Sequence, residues 1–168
     1  MDLSLIINWL SSLPPQLATA IIAALPIAEL RGSIPVALLV YHLPVWQAVL
    51  FSVVGNCVPF ILILYVIDPV TKWCMAHSRL LARFLNWMFE RTRRKFSGSH
   101  AQYGAIALMI FVAIPLPLTG AWSGALAAWL FGIPRRLSIP FIAVGVLIAA
   151  IVVTLVTVGV AGVIRWIV

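Results

Sequence analysis

Glu29-Leu30-Arg31-Gly32-Ser33-Ile34-Pro35 interrupts an apolar run that extends from Leu17 to Leu43. An acid, a base, a glycine and a proline stand where a bilayer-spanning helix would hold none of them. Ionisable groups at membrane depth are costly, so they mark candidate functional sites. A second interruption, Pro115-Leu116-Pro117-Leu118-Thr119-Gly120, lies in the other half of the chain. The expectation is that the two breaks face each other and form a transport site.

The rest of the chain sets the medium. Of 168 residues, 64% are hydrophobic and 9% charged. A soluble domain has about 45–50% apolar and about 25% charged residues. This composition fits a single integral membrane domain. The net charge of +7 lies beside apolar segments. There it orients the chain and meets anionic headgroups rather than nucleic acid. Cys57 and Cys74 make no disulfide framework. His42, His77 and His100 match no metal spacing. No nucleophile–base pair, phosphate loop or cofactor motif is visible, so neither an enzyme nor a cofactor is expected. Asp2 is acidic and no basic stretch precedes the first apolar residues, so no cleaved secretory signal is expected.

Working outward, residues 1–14 read as a short interfacial helix, with Leu3, Ile6, Leu10 and Leu13 on one face. Pro14-Pro15 ends it. Leu17 to Ala28 is about 18 Å of helix at 1.5 Å per residue, too short for a hydrocarbon core of about 30 Å. Pro35 is expected to start a second short piece. Residues 15–43 are therefore either one broken span or a re-entrant hairpin with its tip at the heptapeptide. A full span follows over 45–67, kinked at Pro59, with Asn56 near its middle and Asp68-Pro69 at its end. Residues 70–100 read as a basic amphipathic linker on the membrane surface. Lys72, Arg79, Arg83 and Arg91 alternate there with Trp73, Leu80, Phe84 and Trp87. The second half repeats the plan, with a broken apolar segment over 103–133 and a final span over 138–164.

Charge selects between the two readings. If both broken segments are re-entrant, each half crosses the membrane once. Nine of the eleven cationic residues, the linker's and Arg135-Arg136, then share the cytoplasmic side, as the positive-inside rule favours. The fold expected is all-α: an inverted repeat of a re-entrant helical hairpin plus a transmembrane helix, with an interfacial amphipathic helix between the halves. Broken helices that meet near the midplane are a construction of secondary transporters.

The candidate substrate- and ion-binding residues are Glu29, Arg31, Gly32, Ser33, Pro35, Asn56, Pro115, Pro117, Thr119, Gly120 and Trp122. Glu29 has three readings: an ion pair with Arg31, a proton site, or a site for a cationic substrate. Arg31 suits a phosphate or carboxylate. The helix starting near Pro35 and the one after Gly120 would point positive N-termini at the same anion. Asn56 either joins helices or lines the path. Three functions follow: a proton- or ion-coupled transporter of an anionic amphiphile, an exporter of lipophilic cations, or a non-transporting scaffold or assembly factor. Expected partners are membrane lipids, the amphiphilic substrate, protons and a second copy of the chain. A multi-pass location in a bacterial or archaeal cytoplasmic membrane is expected.

Pro26-Ile27-Ala28-Glu29-Leu30-Arg31-Gly32-Ser33-Ile34-Pro35 and Ile114-Pro115-Leu116-Pro117-Leu118-Thr119-Gly120-Ala121-Trp122-Ser123-Gly124-Ala125 together resemble the signatures of the small multi-drug export family. The resemblance runs from about residue 15 onward. The family is regarded as a distant relative of the DedA superfamily. That relationship implies two re-entrant hairpins, each followed by a transmembrane helix. It also implies translocation of a polyprenyl-phosphate or phospholipid, with proton coupling. Glu29 matches the acidic residue of the first hairpin, and Arg31 and Gly32 belong to the export-family motif. DedA proteins usually carry a further arginine in the second hairpin, and Pro115 to Gly124 has none.

Overall fold

Leu25 precedes a proline, and that neighbour biases it to extended backbone. The chain turns there. The computed structural model describes residues 13–93, 100–116 and 119–167. The interfacial helix expected over 1–14 falls almost wholly outside them, as do Pro117, Arg94 and Lys95. Helix α1, Pro15–Ala24, ends at Leu25, whose ψ is 136°. After the turn over residues 26–28, α2 spans Glu29–Pro35 and continues as a π-helical stretch, Val36–Val40.

This corrects the expected position of the break. The heptapeptide is helical, and the reversal comes before it. Pro26 is the breaker. Pro35 sits inside the helix, where it supplies no N–H to the ladder, and the wider π turn follows it. The helix N-terminus expected near Pro35 does not exist.

Helix α3 spans Val45–His77, α4 Arg79–Arg93, α5 His100–Ala113, α6 Ala121–Phe131 and α7 Arg135–Ile167. No strand occurs among the described residues. Helix α3 and the Arg135–Gly162 part of α7 are long and apolar enough to cross a membrane. Only 33% of the most apolar window of each is buried by protein. Large side chains such as Val54, Val58, Leu62, Leu155 and Val156 stand exposed, as lipid-facing positions would. In contrast α1, α5 and α6, at 10, 14 and 11 residues, reach about 15–21 Å at 1.5 Å per residue. None of these three is long enough to cross a core of about 30 Å.

Helix α3 was expected to stop at Asp68-Pro69 but runs through both. A proline inside a helix costs about 3 kcal/mol. Local contacts offset this. Thr71 Oγ1 donates to the Ile67 carbonyl at 2.7 Å, Asp68 pairs with Arg135, and the Arg135 guanidinium lies 5.0 Å from the centre of the Tyr65 ring. The last helix also begins earlier than expected, directly after Pro134. The amide N–H groups of Leu137 and Ser138 both bond to the Pro134 carbonyl.

The chain divides into two compact units. The first holds the α1–α2 hairpin, α3 as far as Val58, and the last helix from Leu147. Its packing is set by close approach. Gly55 lies so near α1 that a Cβ there would be 2.2 Å from the Ala20 carbonyl oxygen. Gln16 Nε2 meets Gln47 Oε1 at 3.4 Å, and Ser33 Oγ meets Ser52 Oγ at 2.9 Å. The hairpin therefore lies along the first half of α3. Ala18, Ile22, Ala28 and Val36 form its buried apolar centre.

The second unit holds α3 from Pro59, α4, the α5–α6 hairpin and α7 up to Val146. Helix α6 packs on α5 and α4. A Cβ on Gly145 would lie 2.7 Å from the Met109 carbonyl oxygen, and one on Gly124 would lie 2.5 Å from Val112 Cγ2. Small residues here let helices approach closely. Helix α6 ends at Gly132, whose φ of 69° is a left-handed cap that glycine adopts without strain. Helix α4 exposes Leu80, Phe84 and Trp87 at helical spacing beside exposed Arg79 and Arg83. This is the amphipathic element expected in the linker; residues 70–77 belong instead to α3.

Candidate functional site in the first unit

The residues singled out in the sequence fall into two groups. Glu29, Arg31, Gly32, Ser33, Pro35 and Asn56 lie in the first unit, and Pro115, Thr119, Gly120 and Trp122 in the second. Pro117 lies outside the described residues.

In the first unit, Glu29 opens α2 with φ at 45°. The left-handed region costs an L-residue about 1–2 kcal/mol, and such strain concentrates at functional sites. The Glu29 amide bonds back to the Leu25 carbonyl at 3.0 Å, which fixes the turn. Gly32 belongs to the helix rather than to a tip. Its amide bonds to the Ala28 carbonyl at 2.8 Å, and a Cβ on it would lie 2.9 Å from Ala28 Cβ.

Ser33 and Ser52 are 0% exposed and Asn56 is 1% exposed. Ser33 and Ser52 bond to one another, while Asn56 Oδ1 has no donor. With Thr19 on α1, these make four buried polar residues in the hairpin and the first half of α3. Ser52 escaped the sequence reading. The signal was its place four residues before Asn56, on the same helix face. Tyr41, at the end of the π stretch, also has a buried hydroxyl without a partner. Burial pushes its phenol above the ordinary tyrosine range.

In the second unit, Thr119 stitches the α5–α6 loop. Its hydroxyl accepts from the Leu116 amide at 3.1 Å and lies 2.7 Å from the Ile114 carbonyl. Gly120 is extended rather than left-handed, with φ at 170°. Its amide donates to Ser123 Oγ at 3.0 Å, so the N-terminus of α6 is partly capped by its own side chain. The second expected anion-binding helix end therefore has one of its amides already engaged. Trp122 is half-buried beside it. Arg135 and Asp68 meet at the start of α7, with side chains 39% and 45% exposed. Ion pairs this open contribute at most about 1 kcal/mol.

Two cavities among the described residues have no counterpart in the sequence patterns. One of about 310 Å³ in the first unit is lined by Leu38, Leu39 and His42 with Thr157 and Val158. Its His42 has φ at 50°. The other, about 170 Å³ in the second unit, lies beside Asp68, Trp129 and Arg135. None of the residues expected to bind substrate lines either cavity. Both are built from residues far apart in the chain, which no local pattern announces.

No curated protein and no solved structure matches the chain at a significant level. A family model described as "Putative small multi-drug export protein" matches residues 29–152. That match begins at Glu29, the first residue of α2, runs through the α5–α6 hairpin and ends within the last helix. An all-helical chain with two membrane-length apolar helices and interrupted apolar hairpins thus belongs to the small multi-drug export protein family.

Proposed function

We propose that the protein exports lipophilic cations across a cytoplasmic membrane in exchange for protons, with Glu29 as the acid that both species use in turn. The observation that carries this reading is the setting of Glu29. It is a carboxyl group in a left-handed backbone position, at the reversal of an apolar hairpin lying along the first half of a spanning helix. A carboxylate there attracts a cation, and a carboxylic acid there is neutral and tolerable in hydrocarbon. The family description favours export of drug-like compounds.

The reading as a translocase of an anionic amphiphile, such as a polyprenyl-phosphate, retains Arg31 but loses its helix N-termini. One is absent at Pro35, and the other is partly capped at Gly120. Proteoliposomes offered a cationic dye and a fluorescent polyprenyl phosphate separate the two. Dye movement driven by a proton gradient is expected. Movement of the lipid phosphate alone would overturn the cation reading.

The proposal includes the topology: two re-entrant hairpins of opposite orientation, each followed by one crossing. It is supported by the short hairpin arms and by the pairing of Arg135 with Asp68, which places the start of α7 beside the later part of α3. It is also supported by the like make-up of the two units, each a hairpin with half of each long helix. In this arrangement α4 lies on the cytoplasmic leaflet, and two copies of the chain enclose the path. Single cysteines at positions 16 and 43, probed from each side of the membrane, are expected to label from the same side. Opposite labelling would mean that residues 15–43 cross.

A further inference from the structure

Asn56 lies about 17 Å along α3 at 1.5 Å per residue, fully buried, with an Oδ1 that no group donates to. Buried acceptors are nearly always satisfied, so one left open in a single structure points to a donor present in another state of the molecule. The neighbouring bond shows where that donor can come from. Ser33 and Ser52 join α2 to α3 across the short connection over residues 41–44, so the two helices run antiparallel there. Four residues before Ser33 is Glu29, and four residues after Ser52 is Asn56. Both steps cover about 6 Å of helix. They run the same way, toward the Pro26 reversal. Each pair also shares a helix face. The register thus sets Glu29 level with Asn56.

Asn56 is held in place. Its neighbour Gly55 is pressed against the Ala20 backbone, where even a Cβ would lie 2.2 Å from the carbonyl oxygen. Helix α3 therefore cannot turn away from the hairpin at this point without parting from α1. The other described titratable side chains of this unit are few. Arg31 is two residues from Glu29. Tyr41 and His42 lie at the far end of the hairpin arm. Cys57 follows Asn56. Helix α1 and the last helix over residues 147–162 add none.

We propose that Asn56 Oδ1 accepts the hydrogen bond of the protonated Glu29 carboxyl and is the positioning residue for the proton that the protein carries. A carboxylate has no hydrogen to give, whereas the acid form has one O–H donor. Glu29 takes a proton from water and closes the bond to Oδ1. When a cation arrives, the proton returns to water and the carboxylate pairs with the cation. The inference rests on the reading of Glu29 as the exchanging acid.

Infrared difference spectroscopy of the full chain in nanodiscs, titrated with pH and without any dye, reads the bond directly. A carboxylic-acid carbonyl band that disappears in Glu29→Gln belongs to Glu29. In Asn56→Val or Asn56→Ala that band is expected to move to higher wavenumber, because the acid has lost its acceptor. Either variant is sufficient if the other does not fold. Ser33→Ala, which breaks the neighbouring bond only, should leave the band in place. A band unmoved in a folded Asn56 variant, or no Glu29-dependent acid band at any pH at which the protein stays folded, would overturn the proposal. No transport is measured, so the outcome is separate from that of the export reading. A displaced band in a protein that moves no dye fails the export reading alone.

Discussion

Glu29→Gln is expected to abolish dye export while leaving the protein folded. The substitution keeps the size of the side chain and its ability to hydrogen-bond. It removes the charge that binds a cation and the proton that exchanges for it. A hydrogen bond to a charged group is worth about 1.5–3 kcal/mol, which corresponds to about a 10- to 150-fold loss in affinity for the cation. Loss of proton exchange adds to this, so coupled flux should fall to background. Glu29→Asp keeps an acid on a shorter arm and should retain part of the activity. Initial rates in proteoliposomes, with the same protein checked by gel filtration and circular dichroism, measure both. Export by Glu29→Gln at the wild-type rate would remove Glu29 from the mechanism, and the strained backbone at φ 45° would then serve only the turn.

The second large effect is on stability. Gly55→Ala should lower the thermal unfolding midpoint more than any other single-methyl addition at a described glycine. In an isolated helix the change would help, because alanine is favoured over glycine by about 1 kcal/mol. Here the added carbon would meet the Ala20 carbonyl oxygen at 2.2 Å. The obstacle is backbone, which cannot swing aside as the end of a side chain can. Overpacking typically costs about 1–3 kcal/mol, and this contact belongs at or above the top of that range. Gly159 in the last helix is the control. Nothing lies within 4 Å of a Cβ there, so Gly159→Ala should be neutral or slightly stabilising. The two variants add the same atom to two long apolar helices, so a difference between them reports packing rather than propensity. Equal midpoints would mean that α1 and α3 do not approach as described.

Parts of the fold were legible because they rest on local chemistry. Apolar length alone marks α3 and α7 as the membrane-length helices. The α5–α6 hairpin appears where its prolines and Gly120 placed it. The amphipathic helix α4 follows from Leu80, Phe84 and Trp87 recurring beside arginines. The first hairpin differs from the expectation in one respect. Both Pro26 and Pro35 are able to break a helix, and the polar heptapeptide drew attention to the second. Pro26 turns the chain because Leu25 before it is extended. Pro35 is absorbed because a π turn follows it.

The candidate site divides in the same way. Its ionisable members, Glu29 and Arg31, could be found from sequence, since acids and bases in an apolar run are conspicuous. The roles assigned to Thr119 and Gly120 fared differently: the hydroxyl and the amide are engaged in closing their own loop. Ser52 had only its spacing from Asn56 to mark it, because its partner Ser33 lies 19 residues away on α2.

By itself, then, the sequence determined a helical membrane protein with two helices long and apolar enough to span, two proline-interrupted hairpins and an acid inside the first. Those properties depend on hydropathy and on the backbone chemistry of proline and glycine, which act within a few residues. Only the tertiary structure decided that Ser33 bonds to Ser52, 19 residues away, that Asp68 pairs with Arg135, 67 residues away, and that Gly55 meets Ala20. Such pairings are chosen by how closely whole helices can approach, a property of shape that no short stretch of chain contains.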